Sequence, residues 1–116
     1  PVQYLQHALQ LIPTEFQNLP ILVITDDQAW AYYYMSLLIK DKTFYVSSSD
    51  DPLVDWSLLA NSTFSIIGNS TFSLTAAMLN FASYKQPYRL IMPQWINAKE
   101  SSILKKWDLI PGSIVI

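Results

Sequence analysis

The densest run of ligand-binding groups in this chain is Asn69-Ser70-Thr71-Phe72-Ser73. It follows the apolar run Ser65-Ile66-Ile67, which stops at Gly68, and it precedes Leu74-Thr75-Ala76-Ala77-Met78-Leu79. That order places Asn69, Ser70 and Thr71 at the start of a helix. The first backbone N–H groups of a helix have no partner inside it, and the macrodipole makes that end electropositive. Such an end cradles a phosphate or a carboxylate, and Ser and Thr hydroxyls add donors to the same anion. The same residue types are also favoured as N-caps for stability alone, so the segment by itself leaves both readings open.

The pentapeptide occurs twice, at residues 61–65 and 69–73. The spacing is far below the period of repeat architectures, so the copies are read separately. The first runs into Ile66-Ile67 and is expected to become strand. The second is expected to be turn and helix start. Both match the Asn-x-Ser/Thr glycosylation pattern, which matters only in a secreted chain.

The elements that position these residues alternate. Tyr4, Leu5, Ala8, Leu9, Leu11 and Ile12 recur at helical spacing, and Pro13 ends that run. Residues 21–25 form a β-branched apolar run without alternation, which predicts a buried parallel strand. Further helices are predicted over 30–39, 53–60, 74–82 and 101–107, and further strands over 43–46, 64–67 and 88–92. Strands alternating with helices through short connections predict an α/β fold: a Rossmann-like parallel sheet with helices on both faces. Right-handed crossovers place the strand C-termini on one edge, where such sheets bind ligands. Asp26-Asp27, residues 47–51, residues 69–73 and residues 93–95 are all expected there.

Composition narrows the chemistry. The chain has 116 residues, no Cys, one His, two Gly and a net charge of −2. The length suits one domain or part of one. Without Cys, disulfides, thiolate–zinc sites and thiol catalysis are excluded. With His7 alone, a Ser-His-Asp triad and a His-built metal site are disfavoured, and His7 reads as a helix-surface residue. Two glycines exclude a Gly-rich dinucleotide fingerprint and a P-loop. No Lys/Arg run exists, so nucleic acid is not an expected partner. No apolar run reaches the ~18 residues of a membrane span, and no signal peptide is visible. Beginning on Pro1 and entering a helix at once, the chain is expected to be a fragment of a longer protein that lacks its N-terminal part.

The segment Ile66-Ile67-Gly68-Asn69-Ser70-Thr71-Phe72-Ser73, followed by Ala76-Ala77-Met78-Leu79-Asn80, resembles the C-terminal signature of the α-1,2-fucosyltransferase family, glycosyltransferase family 11, in its bacterial form. Val23-Ile24-Thr25-Asp26-Asp27-x-x-Trp30 resembles the family's strand ending in Ser-Asp-Asp with a Trp soon after. Asp55-Trp56-Ser57-Leu58-Leu59 resembles its Asp-x-x-Leu-Leu/Met helix, and Pro93-x-Trp95 the Pro and Trp that follow the next strand. The likeness covers most of the chain, residues 4–107.

That resemblance implies that residues 1–116 are a single nucleotide-sugar-binding lobe, the donor-binding C-terminal lobe of a two-lobed, GT-B-type transferase. The donor would be GDP-fucose and the acceptor the 2-hydroxyl of a terminal galactose on a glycan, with no metal and no other cofactor. Ser70, Thr71, Phe72 and Ser73 would hold the GDP phosphates through backbone N–H groups and hydroxyls, with Asn69 also in the donor-nucleotide site. Asp55 would accept hydrogen bonds from guanine N1–H and N2–H₂, a donor pair that two carboxylate oxygens suit; the other reading of Asp55 is a solvent-exposed helix residue. Asp26 and Asp27 would line the cleft, and an N-cap role is expected for at least one of them. Trp30, Trp56, Trp95 and Trp107 are read as packing residues rather than acceptor platforms. The sequence departs from the family in having Leu74-Thr75 where one or two Trp often stand, and Ser62-Thr63-Phe64 where Cys-x-His often stands. The family's His-x-Arg-Arg-Gly-Asp motif is not among these residues. Its Arg would neutralise the departing GDP, so this chain alone is not expected to turn over. No general base is named.

The alternatives are a non-catalytic nucleotide- or anion-binding module and a structural Rossmann-like domain whose polar turns are only caps. A bacterial protein of this kind would be cytoplasmic; an animal one would lie in the Golgi lumen, and the full-length protein is a candidate for membrane association.

Overall fold

The computed structural model describes residues 2–83, 89–93, 110 and 112–116. The order is α1 (Val2–Gln10), a 3₁₀ turn (Thr14–Phe16), β1 (Ile21–Val23), α2 (Gln28–Leu38), β2 (Phe44–Val46), α3 (Pro52–Ala60), β3 (Phe64–Ile66), α4 (Thr71–Ser83), β4 (Arg89–Met92) and β5 (Ile114–Val115). The expected α/β alternation is therefore present. The helix expected over 101–107 lies outside the described residues, as do Trp95 and Trp107. Two compact units divide the chain, residues 1–55 and 56–116. No described helix is long and apolar enough to cross a membrane.

In the first unit β1 and β2 pair in parallel, Ile21 opposite Phe44, Leu22 opposite Tyr45 and Val23 opposite Val46. Backbone bonds extend the ladder at both ends, from Ile21 N–H to the Thr43 carbonyl and from Ser47 N–H to the Val23 carbonyl. The crossover is α2, which buries Ala31 and Met35 one turn apart, and the stripe continues to buried Ile39. The expectation that residues 21–25 form a strand buried on both faces is not met. The strand is three residues long, and Leu22 is 46 % exposed beside Tyr45 at 60 %. Leu22 and Tyr45 point to the face opposite that of Ile21 and Val23 because the side-chain period is two, and that face is open.

Helix α1 buries Ala8 and leaves His7 exposed, as its spacing predicts. Burial pushes the Tyr4 phenol far above its ordinary range. The folded form thus holds the Tyr4 proton more tightly than the unfolded chain does. Stability is expected to be unaffected by Tyr4 below pH ~10 and to fall as pH rises beyond it. Absorbance titration should show a tyrosine ionising well above the ordinary range that is lost in Tyr4→Phe, and Tyr4→Phe should flatten the alkaline limb of the stability curve. An unchanged limb in Tyr4→Phe would assign the loss to another group.

In the second unit the sheet order is β3-β4-β5, all parallel. Phe64 pairs with Arg89, Ser65 with Leu90 and Ile66 with Ile91. The Ile67 N–H carries the ladder one residue further to the Ile91 carbonyl. Ile67, Leu74, Ala77, Leu90, Met92 and Ile110 form the core, with Leu59 and Val115 against it. Small residues at Ser73, Ala76 and Ala77 leave room for α4 to settle closely on that core. Buried Asn80 donates from Nδ2 to the Ser62 carbonyl (2.8 Å), and the Ser62 and Ser65 hydroxyls share a hydrogen bond. The first pentapeptide copy thus ends in β3 while the second opens α4, as expected.

Pairing is parallel throughout the described strands, which form two sheets, β1-β2 and β3-β4-β5. The crossovers through α2 and α4 each bring their flanking strands into one sheet, whereas that through α3 leaves β2 and β3 in different sheets. β5 was not anticipated. Gly112, with φ of 84°, turns the chain into it. Only Gly enters that region without penalty, so Gly112→Ala is expected to cost about 1–2 kcal/mol in a denaturation experiment. A Cβ at Gly112 meets nothing within 4 Å, so any loss would come from the backbone and not from a clash.

Candidate functional site

Two groups of side chains stand at the C-terminal ends of strands, one in each unit. The first begins where β2 ends. The Ser47 N–H is bound to the Val23 carbonyl (2.9 Å), and the Ser47 carbonyl accepts from Gln28 Nε2 (2.7 Å). Main-chain bonds on both sides fix Ser47, which is buried. Its hydroxyl donates to Asp55 Oδ1 at 2.5 Å. Asp55 lies in the first turn of α3, where the helix dipole favours a negative charge. The start of that helix is fixed by Asp51, whose Oδ1 accepts from the Leu53 N–H (2.9 Å), with Pro52 at the first helical position. Asp55 is half-buried, so it is not the fully solvated helix residue of the alternative reading. A half-buried carboxylate with one oxygen already engaged presents its remaining lone pairs in a set direction, which suits a ligand carrying adjacent N–H donors.

Asp26 and Asp27 follow β1, and both are exposed. Asp27 caps α2: its Oδ1 accepts from the Trp30 N–H (2.9 Å), while its own N–H donates to Thr25 Oγ1 (3.0 Å). The N-cap role expected for one of the pair therefore falls to Asp27. Trp30 is half-buried and packs on Tyr34 with ring centroids 5.0 Å apart, so it serves as a packing residue.

The second group opens α4. Ser70 is the cap, its Oγ accepting from the Ser73 N–H (3.2 Å). The Ser73 hydroxyl bonds the Ser70 carbonyl (3.1 Å) and meets Ser70 Oγ at 2.9 Å. Ser73 is buried, whereas Asn69, Ser70, Thr71 and Phe72 are exposed. Among the described residues nothing accepts from the N–H groups of Thr71 and Phe72, which are the first two of the helix. They are the donors open to an anion. The cap and the anion cradle are thus compatible, because they use different N–H groups. Trp56 braces this turn from α3: its Nε1 donates to Thr75 Oγ1 (3.1 Å), and that hydroxyl bonds back to the Thr71 and Phe72 carbonyls. Gly68 enters the turn without a positive φ, and a Cβ there would meet nothing within 4 Å.

The sequence singles out Asp55 and the turn at residues 69–73 as candidates but does not mark Ser47 as Asp55's partner, since it stands there only as one of three consecutive serines in a polar loop.

No curated protein and no solved structure matches the chain. The family model described as glycosyl transferase family 11 matches residues 2–110. That span covers α1 through β4 and both groups of side chains, and the chain therefore belongs to glycosyl transferase family 11, the fucosyltransferase family of glycosyltransferases.

Proposed function

We propose that the chain is the donor-binding portion of a GT-B-type enzyme that moves fucose from GDP-fucose to the 2-hydroxyl of a terminal galactose. Family membership supports the transferase class. The observation that carries the donor assignment is the half-buried Asp55 carboxylate held by the Ser47 hydroxyl. Guanine offers N1–H and N2–H₂ side by side, and a carboxylate accepts both; adenine offers no such pair on the matching edge. The opening turn of α4 takes phosphate in this reading. The Thr71 and Phe72 N–H groups donate to it with the Thr71 hydroxyl, Ser70 and Ser73 shape the turn, and Asn69 stands at its entrance. The positive end of the α4 dipole then opposes the charge that builds on GDP as the sugar leaves. Asp26 and Asp27 border the cleft, and no metal is given a role.

Calorimetric titration of the chain with GDP and, separately, with ADP tests this reading. GDP binding well above ADP binding supports it. Equal affinities would reduce it to a generic anion site. The sugar is tested with GDP-fucose against GDP-mannose on a galactose-terminated acceptor, reading the linkage of any product by NMR.

A further inference from the structure

We infer that Ser47, itself fixed by Gln28, is a specificity-determining positioning residue: it sets the plane of the Asp55 carboxylate for guanine. The inference rests on the reading of Asp55 as the base-binding group.

The chain of contacts runs from backbone to ligand face. Ser47 is pinned at its N–H by β1 and at its carbonyl by the Gln28 side chain from the first turn of α2. Its side chain has little freedom, being only 8 % exposed. An ionised carboxylate accepts and cannot donate, so the hydroxyl proton goes to Asp55 Oδ1. The Ser49 N–H approaches the same Oγ from its acceptor side at 3.5 Å. With Oδ1 held, rotation about the Asp55 Cβ–Cγ bond is restrained. Oδ2 and the second lone pair of Oδ1 then face a fixed direction before any ligand arrives.

A bidentate contact to two parallel N–H donors needs the carboxylate plane aligned with the base. A carboxylate that rotates freely must be ordered on binding, which lowers affinity. Supporting a binding side chain by a buried hydrogen bond from a strand end is how such alignment is kept. A purely structural role, tying the end of β2 to α3, would affect folding but not the choice between bases.

The experiment compares GDP with IDP, which lacks the 2-amino group, by calorimetry on the whole chain and on Ser47→Ala, Ser47→Thr, Gln28→Ala and Asp55→Ala, with thermal melts of each. The unaltered chain should prefer GDP, and Asp55→Ala should abolish that preference. Ser47→Ala should lower the GDP-over-IDP ratio about tenfold while IDP affinity changes little. Ser47→Thr should restore the ratio by returning the hydroxyl, and Gln28→Ala should lower it partly. If Asp55→Ala abolishes the preference but Ser47→Ala keeps it, the positioning role is overturned while the base assignment stands. If Ser47→Ala weakens both nucleotides equally, in step with its melting temperature, the contact is structural and the inference fails. If Asp55→Ala leaves the ratio intact, or the unaltered chain does not bind GDP, the base assignment falls and the inference with it.

Discussion

Asp55→Ala is expected to weaken GDP binding by about a hundredfold, roughly 3 kcal/mol, and to leave ADP binding within a factor of two. The size follows from what is lost. In the proposed donor site, two charge-assisted hydrogen bonds to the base would disappear together, and each is stronger than a neutral one. The guanine donors would then face a half-buried space without acceptors, and the Ser47 hydroxyl would lose its own partner. In that proposal ADP would make neither contact, so its binding would report only the phosphate turn. Asp55→Asn sharpens the result. Its carbonyl can still accept from Ser47, which puts the amide NH₂ opposite the guanine donors. Donor against donor costs at least as much as removal, so Asn should bind GDP no better than Ala. Retained GDP affinity in Asp55→Asn would show that shape, not acceptor chemistry, governs the site. Melting temperature serves as the control, since Asp55 is not the cap of α3; Asp51 is.

Much of this arrangement was legible because its determinants are local. Ser70 bonds Ser73 three residues on, and Asp27 bonds Trp30 three residues on, so both caps are written in spacing. The α4 stripe of Ser73, Ala76, Ala77 and Asn80 likewise declares itself at helical period. What stayed hidden depends on distant partners. Ile114-Val115 is too short to show a period and is a strand only because Met92 and Ile91 lie beside it. The unbroken run at residues 21–24 reads as doubly buried, yet no letter records that the Leu22 side chain stays largely exposed. The division of the described strands into two sheets is equally non-local. The Ser47–Asp55 bond joins a strand end to a helix across a polar loop, and none of the three serines at 47–49 is marked out by its neighbours. Ser47 alone faces Asp55 because the Val23 and Gln28 bonds set its backbone.

Leu90→Ala is expected to be the most destabilising of the changes considered, at about 3 kcal/mol within the 2–5 kcal/mol range for such truncations. Leu90 is 1 % exposed on β4, the central strand of the β3-β4-β5 sheet, and opposes Ser65. Truncation removes buried methyl groups and leaves a cavity walled by a core that includes Ile67, Leu74, Ala77 and Met92. Strands hold those residues on one side and α4 on the other, so collapse into the gap would distort a ladder or tilt the helix. Leu58→Ala, at a 43 % exposed position of α3, should cost under about 1 kcal/mol. For a unit of this size the Leu90 loss corresponds to about 12–24 °C in melting temperature. The effect also reaches the phosphate turn. Leu74 sits in the first turn of α4 directly after Ser70-Thr71-Phe72-Ser73, and it packs in the same cluster as Leu90. Loosening that cluster frees the turn that aims the Thr71 and Phe72 N–H groups. Near its melting temperature Leu90→Ala should therefore bind GDP and ADP more weakly by the same factor, unlike Asp55→Ala, which separates the two nucleotides. A melting shift of only a few degrees, close to that of Leu58→Ala, would mean that Leu90 is not at the packed centre of this unit.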